Sequence, residues 1–407
     1  AAGGLSWQPV VTASTVTVSA AKGYFINTTS NACTITLPSS AEAGDQIILV
    51  DYARTWGTNA ITIDSNGLNF QSSDDTYIVD YDTAGQSLNL VYSGATVGWT
   101  PSSDIVNAFD HTAPPTQKAI FGYGYNASGG GRLSMSNLVN SSGVVAADVT
   151  GVGTARMTIA ATSYGGDKAI FGYGDSGSAT NLSNLVSSSG VIASDTTGVG
   201  TARYAPAAAS YDGDKGIFGY GDTGGDSYVS LTNLVNNFGV IATDTTGVGT
   251  ARRYLAATGY GSSGQAVFAY GSTGSRLSMK NLVSNSGVVA SDATGVGSAR
   301  NNLAAVKYGT DKAIFGYGST GSITGVTNLV SNVGVIASDV SGVGTARQYL
   351  AAASYGGDKA LFGYGNTASG AVSMTNLVNN SGVVGSDVTG VGTARETLGA
   401  AGYSTSA

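Results

Sequence analysis

Six copies of one unit, whose closing Arg residues lie 47 to 49 residues apart, fill the chain from Lys118 onward. A fixed period of that length restricts the fold to an array of one small unit, each burying its apolar faces against its neighbours. The segment Lys118-Ala-Ile-Phe-Gly-Tyr-Gly124 returns around Phe171, Phe218, Phe268, Phe315 and Phe362, and Asn-Leu-Val returns at Asn137, Asn184, Asn233, Asn281, Asn328 and Asn376. Each unit closes on an Asp eight residues before the Arg of Thr/Ser-Ala-Arg: Asp148/Arg156, Asp195/Arg203, Asp244/Arg252, Asp292/Arg300, Asp339/Arg347 and Asp387/Arg395. Groups placed identically in every unit read as structure. The Arg are expected to bond neighbouring backbone or the paired Asp, and the repeated Phe and Tyr to pack the units together.

Each unit predicts four short strands, such as Leu350–Tyr355, Lys359–Tyr364, Ser373–Val378 and Val383–Val388, separated by Gly-Gly-Asp and Asn-Asn-Ser-Gly turns. Gly makes up 61 of the 407 residues, and it interrupts any helical pattern every few positions while supplying the positive φ that tight turns need. Four strands in about 48 residues is the size of one blade of a β-propeller. The first unit lacks the Arg-x-x-Leu-Ala-Ala strand that precedes every later Phe-Gly-Tyr-Gly, and the chain ends on Thr397-Leu-Gly-Ala-Ala-Gly-Tyr403, that strand without partners. Pairing the two halves would leave no open strand edge. The expected fold is all-β: an N-terminal β-sandwich-like module, then a six-bladed kelch-like β-propeller closed by pairing of the C-terminal strand with the first repeat.

Residues 1–110 carry ten acids against Lys22 and Arg54, whereas residues 111–407 are nearly balanced, and all three Trp lie in the first part. With Pro114-Pro115 as a stiff joint, the chain divides into a β-sandwich-like anchoring or spacer module at 1–103, a linker at 104–117 and the repeats at 118–407. Runs such as Thr15–Ala20, Cys33–Leu37, Gln46–Tyr52 and Ser87–Tyr92 alternate as strands do.

The repeats resemble kelch units in placing Thr-Ala-Arg before an apolar strand, a turn and a strand ending in Gly-x-Gly, although they lack the kelch double Gly and Trp. Gly23-Tyr-Phe-Ile-Asn-Thr-Thr-Ser30, Thr34-Ile-Thr-Leu-Pro38, Asp51-Tyr52 and Gly98-Trp99, with the repeated Gly-Val-Gly-Thr-Ala-Arg, are similar to virion appendage proteins of tailed bacteriophages, notably marine ones. That resemblance implies a virion surface location, outside any cell, as a head fibre, capsid decoration or tail fibre. It implies other virion proteins as partners of the N-terminal module, a host surface glycan or protein as partner of the repeats, and a homo-oligomer. Fibres are commonly trimeric, but no heptad or collagen-like segment spells this out.

Composition excludes much chemistry. With one Cys (Cys33) and one His (His111), no internal disulfide and no Cys/His zinc site can form, and a nucleophilic triad would need His111 beside Pro114-Pro115. Cys33 is expected to be a packed side chain and His111 part of the linker. A net charge of −7 argues against nucleic acid, and no apolar run approaches a membrane span. Asp74, Asp75, Asp80 and Asp82 show no recognised calcium spacing, so neither a metal nor a cofactor is expected. A chain opening at Ala1 without Met reads as a processed or partial product.

Variation between units points to a face. Asn to the next Arg is always 19 residues, whereas Phe to Asn runs from 13 to 16, so length changes sit in the loop after Gly-Tyr-Gly. A second variable spot follows each Arg. In antiparallel units both emerge at one end of the strands, bringing Tyr204, Arg253, Tyr254, Asn301, Asn302, Gln348 and Tyr349 together. These planar and hydrogen-bonding groups suit a sugar or protein surface, although drift in unconstrained loops would also make them vary. The only obvious unrepeated acids near this face or its neighbouring turns, Asp212, Asp222, Asp226 and Glu396, do not announce the convergent carboxylate pair of a glycosidase. The expectation is therefore a non-enzymatic binder without catalytic residues. The alternatives are a purely structural virion decoration, a polysaccharide depolymerase and a bacterial surface adhesin.

Overall fold

A computed structural model describes residues 5–73, 79–102 and 116–406; His111, Asp74, Asp75 and nearly all of the expected linker lie outside these. The chain divides into two compact units between Pro114 and Pro115. No helix occurs among the described residues.

The first unit holds β1 (Ser6–Trp7), β2 (Thr15–Thr17), β3 (Lys22–Ile26), β4 (Cys33–Thr36), β5 (Gln46–Asp51), β6 (Ile61–Asp64), β7 (Val79–Tyr81), β8 (Ser87–Tyr92) and β9 (Trp99–Pro101). They form two sheets, β1-β3-β5-β8-β9 and β2-β4-β6-β7. Up to β6 the chain changes sheet after every strand, so each return runs in the same direction: β1, β3 and β5 are parallel, as are β2, β4 and β6. Alternation in the sequence assigns side chains to faces but does not set strand direction. Between the sheets lies a core of fully buried Ile35, Leu49, Trp56, Leu90 and Trp99. Cys33 is packed in it, and burial pushes its thiol up to about 11.

The second unit holds six three-stranded sheets. The first joins Gly131–Val139, Lys118–Asn126 and Gly399–Tyr403; the next joins Ala160–Tyr164, Lys168–Gly172 and Ser183–Val186, and four more repeat that pattern. The tail strand lies antiparallel to the strand after the Pro-Pro step, with Lys118 opposite Tyr403 and Gly122 opposite Gly399.

The expected six-bladed kelch-like propeller is corrected here: the described residues form many small separate sheets, three-stranded where four-stranded blades were expected. The predicted fourth strand is reduced to single bridges, Val139 with Val145 and Ser136 with Val149 in the first unit. The cause is the repeat Asn. Asn137 Nδ2 donates to the Ala146 carbonyl at 3.0 Å and to Asp148 Oδ1 at 2.9 Å, so a side chain occupies the place where a ladder would run, and the other five Asn do the same.

Neighbouring sheets pack through their repeated rings. The Tyr123 ring packs at a tilt against Phe171 of the next sheet with centroids 5.2 Å apart, and the other five pairs lie at 5.0–5.3 Å. The first Gly of Gly-Tyr-Gly makes room: a Cβ on Gly122 would sit 2.7 Å from Phe171 Cζ. Above each Tyr lies the guanidinium of a repeat Arg, 4.0–4.8 Å from the ring centroid. All six Arg are fully buried. The reading of these groups as packing residues describes them well, but the Asp/Arg pairs are displaced by one unit. Arg300 lies 3.7 Å from Asp339 and Arg347 3.9 Å from Asp387, each Asp belonging to the following unit.

Candidate functional site

Two residues after each repeat Arg the backbone turns left-handed: Thr158, Ala205, Tyr254, Asn302, Tyr349 and Thr397 have φ between 48° and 57°. Non-glycine residues hold that conformation at a cost of roughly 1 kcal/mol or more. A closed circle of backbone hydrogen bonds holds them there. Ala205 N donates to Thr158 O, Tyr254 N to Ala205 O, Asn302 N to Tyr254 O, Tyr349 N to Asn302 O, Thr397 N to Tyr349 O and Thr158 N to Thr397 O, at 2.8–3.2 Å. The second Gly of Gly-Tyr-Gly lets this segment approach: a Cβ on Gly318 would lie 2.6 Å from the Asn301 carbonyl oxygen.

Over the circle opens a pocket of about 90 Å³, lined by those six residues and by Ile159, Pro206, Leu255, Leu303 and Leu350. Its floor is apolar because the residue following each left-handed one is Ile, Pro or Leu. Tyr254 and Tyr349 form one corner, with ring centroids 6.0 Å apart and planes at 74°. Between them in the circle stands Asn302, whose Nδ2 is 3.5 Å from Gln348 Oε1. Thr158, Ala205 and Thr397 leave the opposite side low.

Beside the corner lies a charged cluster. Arg253 pairs with Asp222 at 2.6 Å and Asp226 at 2.8 Å, donates to Tyr204 Oη at 3.2 Å, and lies 5.2 Å and 5.0 Å from the ring centroids of Tyr228 and Tyr254. The Asp222 side chain is fully buried and also accepts from Tyr204 Oη at 3.0 Å. Arg253 is therefore saturated by two carboxylates. Its role in this geometry is to fix the surrounding rings. Burial, reinforced by Tyr349 and opposed by Arg253, pushes the Tyr254 phenol up to about 12, so it is a neutral donor at physiological pH. On the far side burial raises the Glu396 carboxyl, partly offset by a hydrogen bond from Asn366.

Comparison of the sequence with protein-family models and with curated proteins gives no match to either. The site is accordingly read from its own geometry.

The structure brings all seven candidate residues to this end of the second unit. Tyr254, Asn302 and Tyr349 line the pocket, while Tyr204, Arg253, Asn301 and Gln348 precede circle residues and bridge to Asp222, Ser272, Ser319 and Asn366. Of the unrepeated acids, Asp222, Asp226 and Glu396 are here, whereas Asp212 pairs with Lys215 at the turn end of the strands. Sequence reasoning missed Tyr228 and the circle itself. Six equivalent residues between a buried Arg and an apolar residue were the signal for the circle; Tyr228 carried none, standing alone in a stretch whose length varies between units, where the structure extends a strand and pairs it with Asp222. Among the described residues no group of three His, Cys, Asp or Glu could hold a metal ion. Asp80 accepts from Thr62 Oγ1 at 2.6 Å, in the first unit.

Proposed function

We propose that this chain is a non-enzymatic surface protein of a tailed-bacteriophage virion, a head fibre, decoration or tail fibre, whose first unit joins other virion proteins and whose second unit adheres to host cell-surface glycan. The observation that carries the adhesive reading is the Tyr254–Tyr349 corner around Asn302, standing where the units differ most while the rest of each unit is repeated. Aromatic bodies supply contact area at small entropic cost, and the amide and hydroxyl groups beside them supply direction. A pocket of about 90 Å³ is well below the several hundred Å³ that enclose a whole small molecule, which suits attachment to part of a larger chain. In support, the chain enters this unit at the other end of the strands: Gln117 N donates to Ser404 O, and Gly356 N in a Gly-Gly-Asp turn donates to Gln117 O.

The test is binding of the full chain to an array of bacterial capsular and lipopolysaccharide glycans, repeated with Tyr254→Ala and Tyr349→Ala. Each substitution is expected to weaken binding at least tenfold, and undiminished binding by both would remove the site. A reducing-end assay on the bound polysaccharides is expected to show no cleavage.

A second reading, a structural decoration that binds only other virion subunits, is favoured by one observation. Val144, Val191, Val240, Val288, Val335 and Val383, at equivalent turns, are each about 60% exposed, and repeated exposed apolar positions are places where partners dock.

A further inference from the structure

Resting on the adhesive reading, we infer that the pocket receives one uncharged sugar ring and turns away acidic sugars. Arg253 makes the sequence look prepared for an acidic ligand, but its guanidinium already contacts Asp222 and Asp226. None of the eleven residues lining the pocket is charged. The other rim cation near the circle, Arg132, is held by Asp175 at 3.0 Å, and Asp175 bridges to Met157 next to the circle. Glu396, immediately before circle residue Thr397, has no cation partner among the described residues. Arg276, in the exposed loop beside Gly321, is outside the lining. At this end of the strands the carboxylates of Asp175, Asp222, Asp226 and Glu396 thus stand against Arg132 and Arg253, both already paired, and the exposed Arg276. A uronic or sialic acid carboxylate would lose water, find no cation among the residues that line the pocket and meet Glu396 beside it; like charges brought together in a desolvated site oppose binding strongly.

The shape agrees. Two rings set at 74° form a corner that one pyranose can occupy, its C–H face on one ring and its edge against the other. Its hydroxyl groups then fall near the Asn302 amide and the Thr158 and Thr397 hydroxyls. The low side formed by Thr158, Ala205 and Thr397 lets the rest of the glycan leave the pocket.

The test is saturation-transfer NMR on the full chain at pH 7 with methyl glycosides of glucose, galactose, mannose and N-acetylglucosamine, and with the matching methyl uronides of glucose, galactose and mannose. At least one neutral glycoside is expected to bind, with its uronide at least tenfold weaker, and Glu396→Gln is expected to narrow that gap about threefold or more. A uronide that binds as well as its neutral partner, with both signals lost in Tyr254→Ala and Tyr349→Ala, overturns the inference and leaves the site in place. Neutral binding that survives both tyrosine substitutions, or the absence of any binding, overturns the site and the inference together.

Discussion

Thr393 donates both its amide and its hydroxyl to Asp148, at 3.0 Å and 2.6 Å, although 245 residues separate them. The same two bonds join Thr154 to Asp195, Thr201 to Asp244, Thr250 to Asp292, Ser298 to Asp339 and Thr345 to Asp387. The last unit is thus fastened to the first by the link that joins every other neighbouring pair. Asp148→Ala is expected to cost about 1–2 kcal/mol in chemical denaturation, the low part of the range for hydrogen bonds to a charged acceptor, because the carboxylate faces solvent. Thr393→Val is expected to cost less, since its amide still donates. The double variant is expected to fall short of the sum. Strict additivity would show that the contact does not couple the two ends.

These six carboxylates also set an acid limit. Burial pushes each one up, but hydrogen bonds from the neighbouring unit's Thr or Ser and from the local Asn outweigh it, so all six lie below the ordinary aspartate range. A carboxyl with a depressed folded pKa contributes stability that is complete above its unfolded value, about 3.9, and is lost as pH falls through the folded one. Glu396 has the opposite sign, because its raised pKa makes protonation favour the folded chain. Melting temperature is therefore expected to be nearly level from pH 7 to about pH 5 and to fall steeply below pH 4. A melting temperature that is unchanged or higher at pH 3 would contradict the depressed carboxyls.

The buried arginines predict a larger loss. Arg252 donates to the Tyr270 carbonyl at 2.8 Å, the Thr250 carbonyl at 3.0 Å and Asn281 Oδ1 at 2.8 Å, with its guanidinium over Tyr220. Arg252→Ala would leave three acceptors unpaired around a cavity and is expected to cost about 3–5 kcal/mol. Arg252→Lys keeps the charge but not the planar fork, and is expected to recover less than half of that loss. Equal stability of the lysine variant and the parent would mean that only the charge matters.

The repeated strands were legible because Lys-Ala-Ile-Phe and Asn-Leu-Val are short apolar runs bounded by Gly turns, and the candidate residues were legible because they differ where everything around them repeats. The partner of a repeated residue was not. When Asp148 stands eight residues before Arg156 in every unit, the same spacing describes a bond within the unit and a bond to its neighbour, and Asp195 in fact accepts from Thr154 of the preceding unit. The fourth strand was lost for another reason: an alternating run such as Val144–Val149 cannot reveal that the Asn137 side chain occupies its ladder. In the first unit the strands could be seen but not their direction, since Lys22–Ile26 and Gln46–Asp51 alternate alike whether parallel or antiparallel. Nor could the sequence tell that Arg253 spends its charge on Asp222 and Asp226.

The tail strand gives the last prediction. Gly399–Tyr403 covers the edge of Lys118–Asn126 next to the fully buried Ile120 and Phe121, and Thr397 supplies two of the six bonds in the circle. Ending the chain at Leu398 would expose that edge and remove the buried Ala401 and Tyr403, a loss on the order of 5 kcal/mol. The shortened chain is expected to melt about 10 °C or more below the parent. It is also expected to associate further than the parent in size-exclusion chromatography, because an uncovered strand with apolar neighbours recruits another strand. A synthetic peptide of residues 399–406, added in excess, is expected to reverse both changes by restoring the missing strand from outside. If the shortened chain melted and eluted like the parent, the tail would be an ornament on the first sheet and the circle would hold without it.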